Sequence, residues 1–233
     1  MERTRSMARK KRPFSDEDPP ARVARALEIA KRLEARHPDA GVALEDHDPL
    51  QLLVATILSA QCTDERVNQV TPQLFRRFPD AGAYAAAEAE EIEEIIHSTG
   101  FFRQKAKSIK GACTVMVERF AGEVPQAMED LTSLPGIGRK TANVIRGGAW
   151  GLPGITVDTH VKRLSGRLGL TEQTDPVKIE YDLNDLLPEE RWFPFSSALI
   201  FHGRRVCGAR KPDCAGCTLT DLCRHYLEES AGV

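Results

Sequence analysis

Long apolar runs are missing from this sequence. No stretch of its 233 residues approaches the roughly 20 consecutive apolar positions that a membrane-spanning helix needs. The basic N-terminus has no apolar segment behind it, which excludes a secretory signal and makes the cytoplasm the expected address. Sustained alternation of apolar and polar residues is also missing, so strands are not expected and the fold class reads as all-α. A surplus of positive charge is absent too. With 32 Lys and Arg against 34 Asp and Glu the formal net charge is -2, which argues against a generally basic nucleic-acid coat. What remains is ordinary: 41% hydrophobic and 28% charged residues suit a soluble globular protein. The length allows one large or two modest domains around a real core.

The charges are nevertheless segregated. Residues 1–12 hold six basic residues against one Glu. Residues 134–167 carry Arg139, Lys140, Arg146, Lys162, Arg163 and Arg167 against Asp158 alone. Residues 201–211 add Arg204, Arg205, Arg210 and Lys211 with no acid, and the compensating acids gather in 88–94 and 172–190. If the basic stretches share a face, that face is a phosphate-binding footprint; otherwise they are solvated helix faces.

Along the chain, residues 1–20 have almost no periodic apolar pattern and read as a disordered basic arm. Helical spacing follows over 21–36, and Asp48-Pro49 reads as an N-cap with proline at the first helical position. Residues 50–60 form a core helix, and Thr63 or Asp64 caps the next, over 66–78. Further helices are expected over 80–87, 88–97, 104–120, 141–150, 159–168, 175–187 and 189–202, with a short one ahead of Leu134. A Gly/Pro crossing over 151–156 marks a domain boundary.

The chain is organised around residues 134–160. Pro135, Gly136 and Gly138 lie between two stretches that read as helical, and glycines permit the tight backbone that joins them. The expected product is a helix, a hairpin and a second helix whose free N–H groups face outward, a ready phosphate site. Arg139 and Lys140 then sit in that helix's first turn, where the dipole disfavours cations. A lysine amine attacks carbon when burial and nearby positive charge lower its pKa. Lys140 is therefore a candidate nucleophile, with a phosphate contact as the alternative. Asp158 is an N-cap for the helix beginning at Thr159, and its free oxygen suits the stabilisation of cationic character on a sugar.

Near the end, Cys207, Cys214, Cys217 and Cys223 stand within seventeen residues. Six cysteines without a secretion signal argue against a disulfide framework and for a metal site. Zinc ribbons usually show two C-x2-C knuckles, and this tail has one; four unevenly spaced Cys also suit an iron–sulfur cubane, so spacing leaves both open. Cys62 and Cys113 read as small core residues.

Leu134-Pro-Gly-Ile-Gly-Arg-Lys-Thr-Ala-Asn143, then Val157-Asp-Thr-His160, then the four-cysteine tail, together resemble the endonuclease III family of DNA glycosylases, over about residues 21–226. The resemblance implies two helical domains with the active site in the cleft between them. One is a six-helix barrel with the helix-hairpin-helix, residues 42–152; the other, discontinuous over 21–41 and 153–233, carries a [4Fe–4S] cluster on the four cysteines. It implies that Lys140 attacks C1′ of a damaged nucleotide with Asp158 assisting, and that β-elimination follows. It also implies that Gln61 fills the space of the extruded base and that Phe101 wedges into the duplex. Gly136, Gly138, Arg139, His160 and Lys211 fall at DNA-facing positions of the same pattern. The implied partner is double-stranded DNA carrying oxidised pyrimidines or abasic sites, met by a monomer at the nucleoid.

Overall fold

The computed structural model describes residues 13–14, 16–41 and 48–231, and every regular element among them is helical. Most of the expected arm lies outside the described residues, but its end is folded. Helix α1 (Pro19–Arg36) starts inside it, because Asp18 Oδ1 accepts from the Ala21 amide at 2.8 Å and proline fills the first turn. Glu17 forms a two-pronged pair with Arg25, whose guanidinium also lies 4.1 Å above the Phe14 ring. Contrary to the expectation of a disordered arm through residue 20, a cap and a buried cation organise the chain at Glu17 and Asp18.

Two compact units divide the chain: Ala40–Thr156, and the segments on either side of it. The inserted unit contains α2 (Pro49–Leu58), α3 (Asp64–Arg77), α4 (Ala81–Ala86), α5 (Ala89–Ile96), a 3₁₀ turn at His97–Thr99, α6 (Phe102–Arg119), α7 (Met128–Ser133) and α8 (Arg139–Trp150). Asp48 caps α2, accepting from the Leu50 and Gln51 amides at 3.0 Å, and proline holds its first position. Every residue from Leu52 to Leu58 is buried; α2 contacts α3, α6 and α8, while α4 and α5 pack on α6 and α7 on α8. Leu74, Phe78, Tyr84, Ile92, Ile109 and Met116 complete this core. Burying each is worth about 2 kcal/mol before conformational entropy is charged against it.

In the second unit, α9 (Thr159–Leu168) packs against α11 (Trp192–Arg205) and, less extensively, against α10 (Pro176–Asn184) and α12 (Arg224–Ser230), while α1 packs on α11. Helix α11 runs three residues beyond its expected end, and α12 was not expected. Its N-cap, Cys223, offers no side-chain cap hydrogen bond, so the usual start signal is missing. Among the described residues no helix is long and apolar enough to cross a membrane.

Candidate active site and thiol cluster

The hairpin between α7 and α8 is held from inside. Leu134 and Ile137 are buried, the Ile137 amide donates to Leu134 O at 3.1 Å, and Pro135, Gly136 and Gly138 stay exposed. Gly136 has φ +81, and a β-carbon there would lie 2.6 Å from that of Ser108 on α6. Gly138, the N-cap of α8, brings no capping side chain, leaving that helix end open for an anionic ligand. Arg139 and the exposed Lys140 occupy the first turn of α8. Solvent exposure does not supply the burial that the activation argument asks for around Lys140. At its other end α8 stops at left-handed Gly151, whose amide donates to Gly147 O while Leu152 donates to Arg146 O.

Gln61, Phe101 and Gly136 line one cavity of about 230 Å³ in the inserted unit, together with Gln104, Lys105 and Thr141. Gln61 and Phe101 both take left-handed backbone, with φ 52 and 49. That conformation costs a non-glycine residue about 1 kcal/mol. Phe101 follows Gly100, itself at φ +70, and leaves 67% of its surface in solvent. The family resemblance had indicated Gln61 and Phe101 but not Lys105, which is 4% exposed. One sequence signal was available: Lys105 shares a face of α6 with Ile109, Ala112 and Met116, and a cation on an apolar stripe needs a partner.

In the other unit Asp158 caps α9, Oδ1 accepting from the Val161 amide at 2.8 Å, and the carboxylate remains half-buried. His160 is packed: its Nδ1 lies 3.2 Å from Arg163 Nη2, and a β-carbon on Gly203 would lie 2.7 Å from that nitrogen. Several basic residues turn out to be internal ties. Arg163 donates to Gly203 O and Cys207 O, Arg167 to Gly208 O and Ala209 O, and Arg146 to Gln126 O. Arg205 pairs with Asp39 at 2.7 Å. Lys162, Arg210 and Lys211 are exposed, so the basic footprint is smaller than the sequence count.

Cys207, Cys214, Cys217 and Cys223 line one small cavity. Burial first, and then the charge of neighbouring thiols, push the thiols of Cys214, Cys217 and Cys223 up. Such thiols would bind a cationic group as thiolates, releasing their protons to solvent. Donors already face two of the sulfurs: Arg167 Nη1 reaches Cys207 Sγ at 3.1 Å, and the Leu219 amide reaches Cys217 Sγ at 3.4 Å. His202 Nε2 is also 3.4 Å from Cys217 Sγ, and its Nδ1 is 3.0 Å from His37 Nε2. Burial, then the neighbouring His37 and Arg36, holds His202 down at about 4, so this ring is neutral. Among the described residues no three Cys, His, Asp or Glu side chains gather tightly enough for a single metal ion; the thiols ring a space instead. Cys113 is fully buried in the core and Cys62 packs half-buried against it.

Comparison with known proteins agrees with this architecture. Residues 54–189 match the HhH-GPD superfamily of base excision DNA repair proteins. Endonuclease III of Synechocystis is 62% identical over 200 residues, covering 85% of this chain and 91% of the relative. The Escherichia coli K12 endonuclease III is 37% identical over 202 residues, covering 87% and 96%. A solved structure of a trapped endonuclease III–DNA covalent intermediate superposes with a TM-score of 0.84 at 39% identity, covering 89% of this chain and 98% of that one. A thermostable thymine-DNA glycosylase shares the fold, with a TM-score of 0.78 at 21% identity.

Proposed function

The chain belongs to the endonuclease III family of helix-hairpin-helix base excision repair enzymes, DNA glycosylases and abasic-site lyases, and from this we propose its substrate and the residues that act on it. The substrate is duplex DNA carrying an oxidised pyrimidine of the thymine glycol or 5-hydroxycytosine type, or an abasic site. The observation that carries the proposal is Lys140, exposed in the first turn of α8 directly behind the uncapped Gly138 hairpin. Phosphate binding at the open helix end brings the sugar to the amine.

The Lys140 Nζ lone pair attacks C1′, and the glycosidic pair leaves with the base, which takes up a proton. Opening of the sugar ring gives a Schiff base between Nζ and C1′. That cation makes the C2′ proton acidic, and its removal expels the 3′ phosphate oxygen by β-elimination, which nicks the strand. Asp158, anchored through one oxygen to the start of α9, keeps the other to stabilise positive charge on the sugar and to move protons. The target must leave the helix to be reached. Gln61 and Phe101, on one cavity in strained backbone, would fill the vacated stack and hold the duplex open.

We assign a [4Fe–4S] cluster to Cys207, Cys214, Cys217 and Cys223, since four thiols ringing a space suit a polynuclear group better than one ion. When bound, it supplies four metal–thiolate bonds that stiffen the loop carrying Arg210 and Lys211. Those exposed cations then meet phosphates as a preformed patch.

Borohydride trapping on a duplex with one thymine glycol tests the mechanism, with wild type, Lys140→Gln and Asp158→Asn in parallel. A covalent adduct in wild type that Lys140→Gln abolishes is the expected result. Base release without an adduct would assign the attack to water and reduce Lys140 to a phosphate contact.

A further inference from the structure

Lys105 is a buried cation without a carboxylate. It lies in the first turn of α6, 4% exposed, and among the described residues no acid pairs with it. Its ammonium instead donates to Leu58 O at 2.7 Å and to Thr99 O at 2.8 Å. These are not arbitrary carbonyls. Leu58 is the last residue of α2, and Thr99 is the last residue of the 3₁₀ turn. Both are helix-terminal acceptors, left unmatched within their own helices and carrying the negative end of the helix dipole. One ammonium therefore closes two helix ends, and their partial charges replace the missing counter-ion. Burial lowers the lysine's pKa, with the nearby Cys62 sulfur acting in the opposite direction.

Each of the two carbonyls stands just ahead of a strained turn. The chain continues from Leu58 to Gln61 and from Thr99 to Phe101, the two left-handed non-glycine residues that line the cavity beside Lys105. Backbone held in a sparsely populated region persists only where its surroundings over-determine it. We propose that Lys105 is a positioning residue for duplex opening: by joining the ends of α2 and the 3₁₀ turn, it holds the Gln61 and Phe101 turns in the spacing that a parted base step requires. This role rests on Gln61 and Phe101 entering the duplex, as proposed for the function. Lys105 itself makes no contact with the reacting sugar.

The test compares wild type with Lys105→Met, which keeps chain length and apolar packing but removes the charge. Lys105→Gln, which keeps an amide NH2 donor group but no charge, serves if the Met variant does not fold. The readouts are the fluorescence of 2-aminopurine opposite the lesion, base release from a thymine glycol duplex, and incision of a duplex with a preformed abasic site. We expect the variant to lose the fluorescence rise on binding. Its KM for the lesion duplex rises about tenfold or more, as a misplaced positioning element does, while abasic incision changes little. Unchanged fluorescence and KM overturn the proposal. So does a proportional loss on both substrates, which marks a residue that only supports the fold. If wild type releases no base and incises nothing, the enzymatic reading fails, and the fluorescence comparison still decides the role of Lys105.

Discussion

Gly136 in the hairpin and Ser108 on α6 touch so closely that a β-carbon on the glycine would lie 2.6 Å from Cβ of the serine. The hairpin is thus pressed onto α6 as well as turned by its glycines. Two residues along, Gly138 has nothing within 4 Å of a β-carbon and an ordinary φ of -94.

The two glycines should therefore respond differently to alanine. Gly136→Ala meets both a positive φ and a clash, and should cost about 3 kcal/mol, read as a fall in urea midpoint together with lost duplex binding. Gly138→Ala should stay within about 1 kcal/mol of wild type. Loss of DNA affinity in that variant would then report the interface and not the fold.

Arg25 should be the least replaceable cation of the discontinuous unit. It is 6% exposed, bonded to Glu17, and donates to Leu168 O at 2.7 Å and to Gly169 O at 3.2 Å, which closes the C-terminus of α9. Arg25→Met leaves those carbonyls and a largely buried carboxylate unmatched, for an expected loss of about 3 kcal/mol in urea unfolding. Adding Glu17→Gln should recover part of it.

Tyr84 presents the opposite case. Its side chain is fully buried against Phe78, with ring centroids 4.9 Å apart, and its hydroxyl has no hydrogen-bond partner among the described residues. Tyr84→Phe should raise stability by about 1 kcal/mol, because an unmatched buried hydroxyl is removed without opening a cavity. A lower melting temperature would mean that the hydroxyl is satisfied by water.

Thiol reactivity should separate the two cysteines outside the tail. Cys113 is fully buried, and burial pushes its thiol up to about 12, so little thiolate forms near neutral pH. Peptide mapping after brief iodoacetamide treatment of the folded protein should find Cys62 alkylated and Cys113 untouched. Equal labelling would show that the core opens on the timescale of the reaction.

Much of the helical layout was legible because its signals are local. Asp48-Pro49 and Asp158-Thr159 announce their helices within a single turn, where a side-chain oxygen reaches an amide two or three residues on. Its nearly continuous apolar sequence marked α2 as a core helix, again a local signal. Signals faded where no cap is present, as before α12, and where a non-glycine residue takes a left-handed turn. The left-handed conformations of Phe101 and Gln61 were not expected.

By itself, then, the sequence determined the all-helical class, most helix starts, the hairpin and the grouping of four cysteines, since each depends on residues within one or two turns of each other. The tertiary structure alone decided which cations are spent internally. Arg163 and Arg167 look like Lys162 in sequence, yet packing turns them onto loop carbonyls. It likewise brought the Lys105 ammonium to two helix ends and His202 to Cys217. Such pairings join segments whose separation along the chain carries no local signal, and a buried charge or imidazole takes whichever partner the packed helices bring within hydrogen-bonding reach.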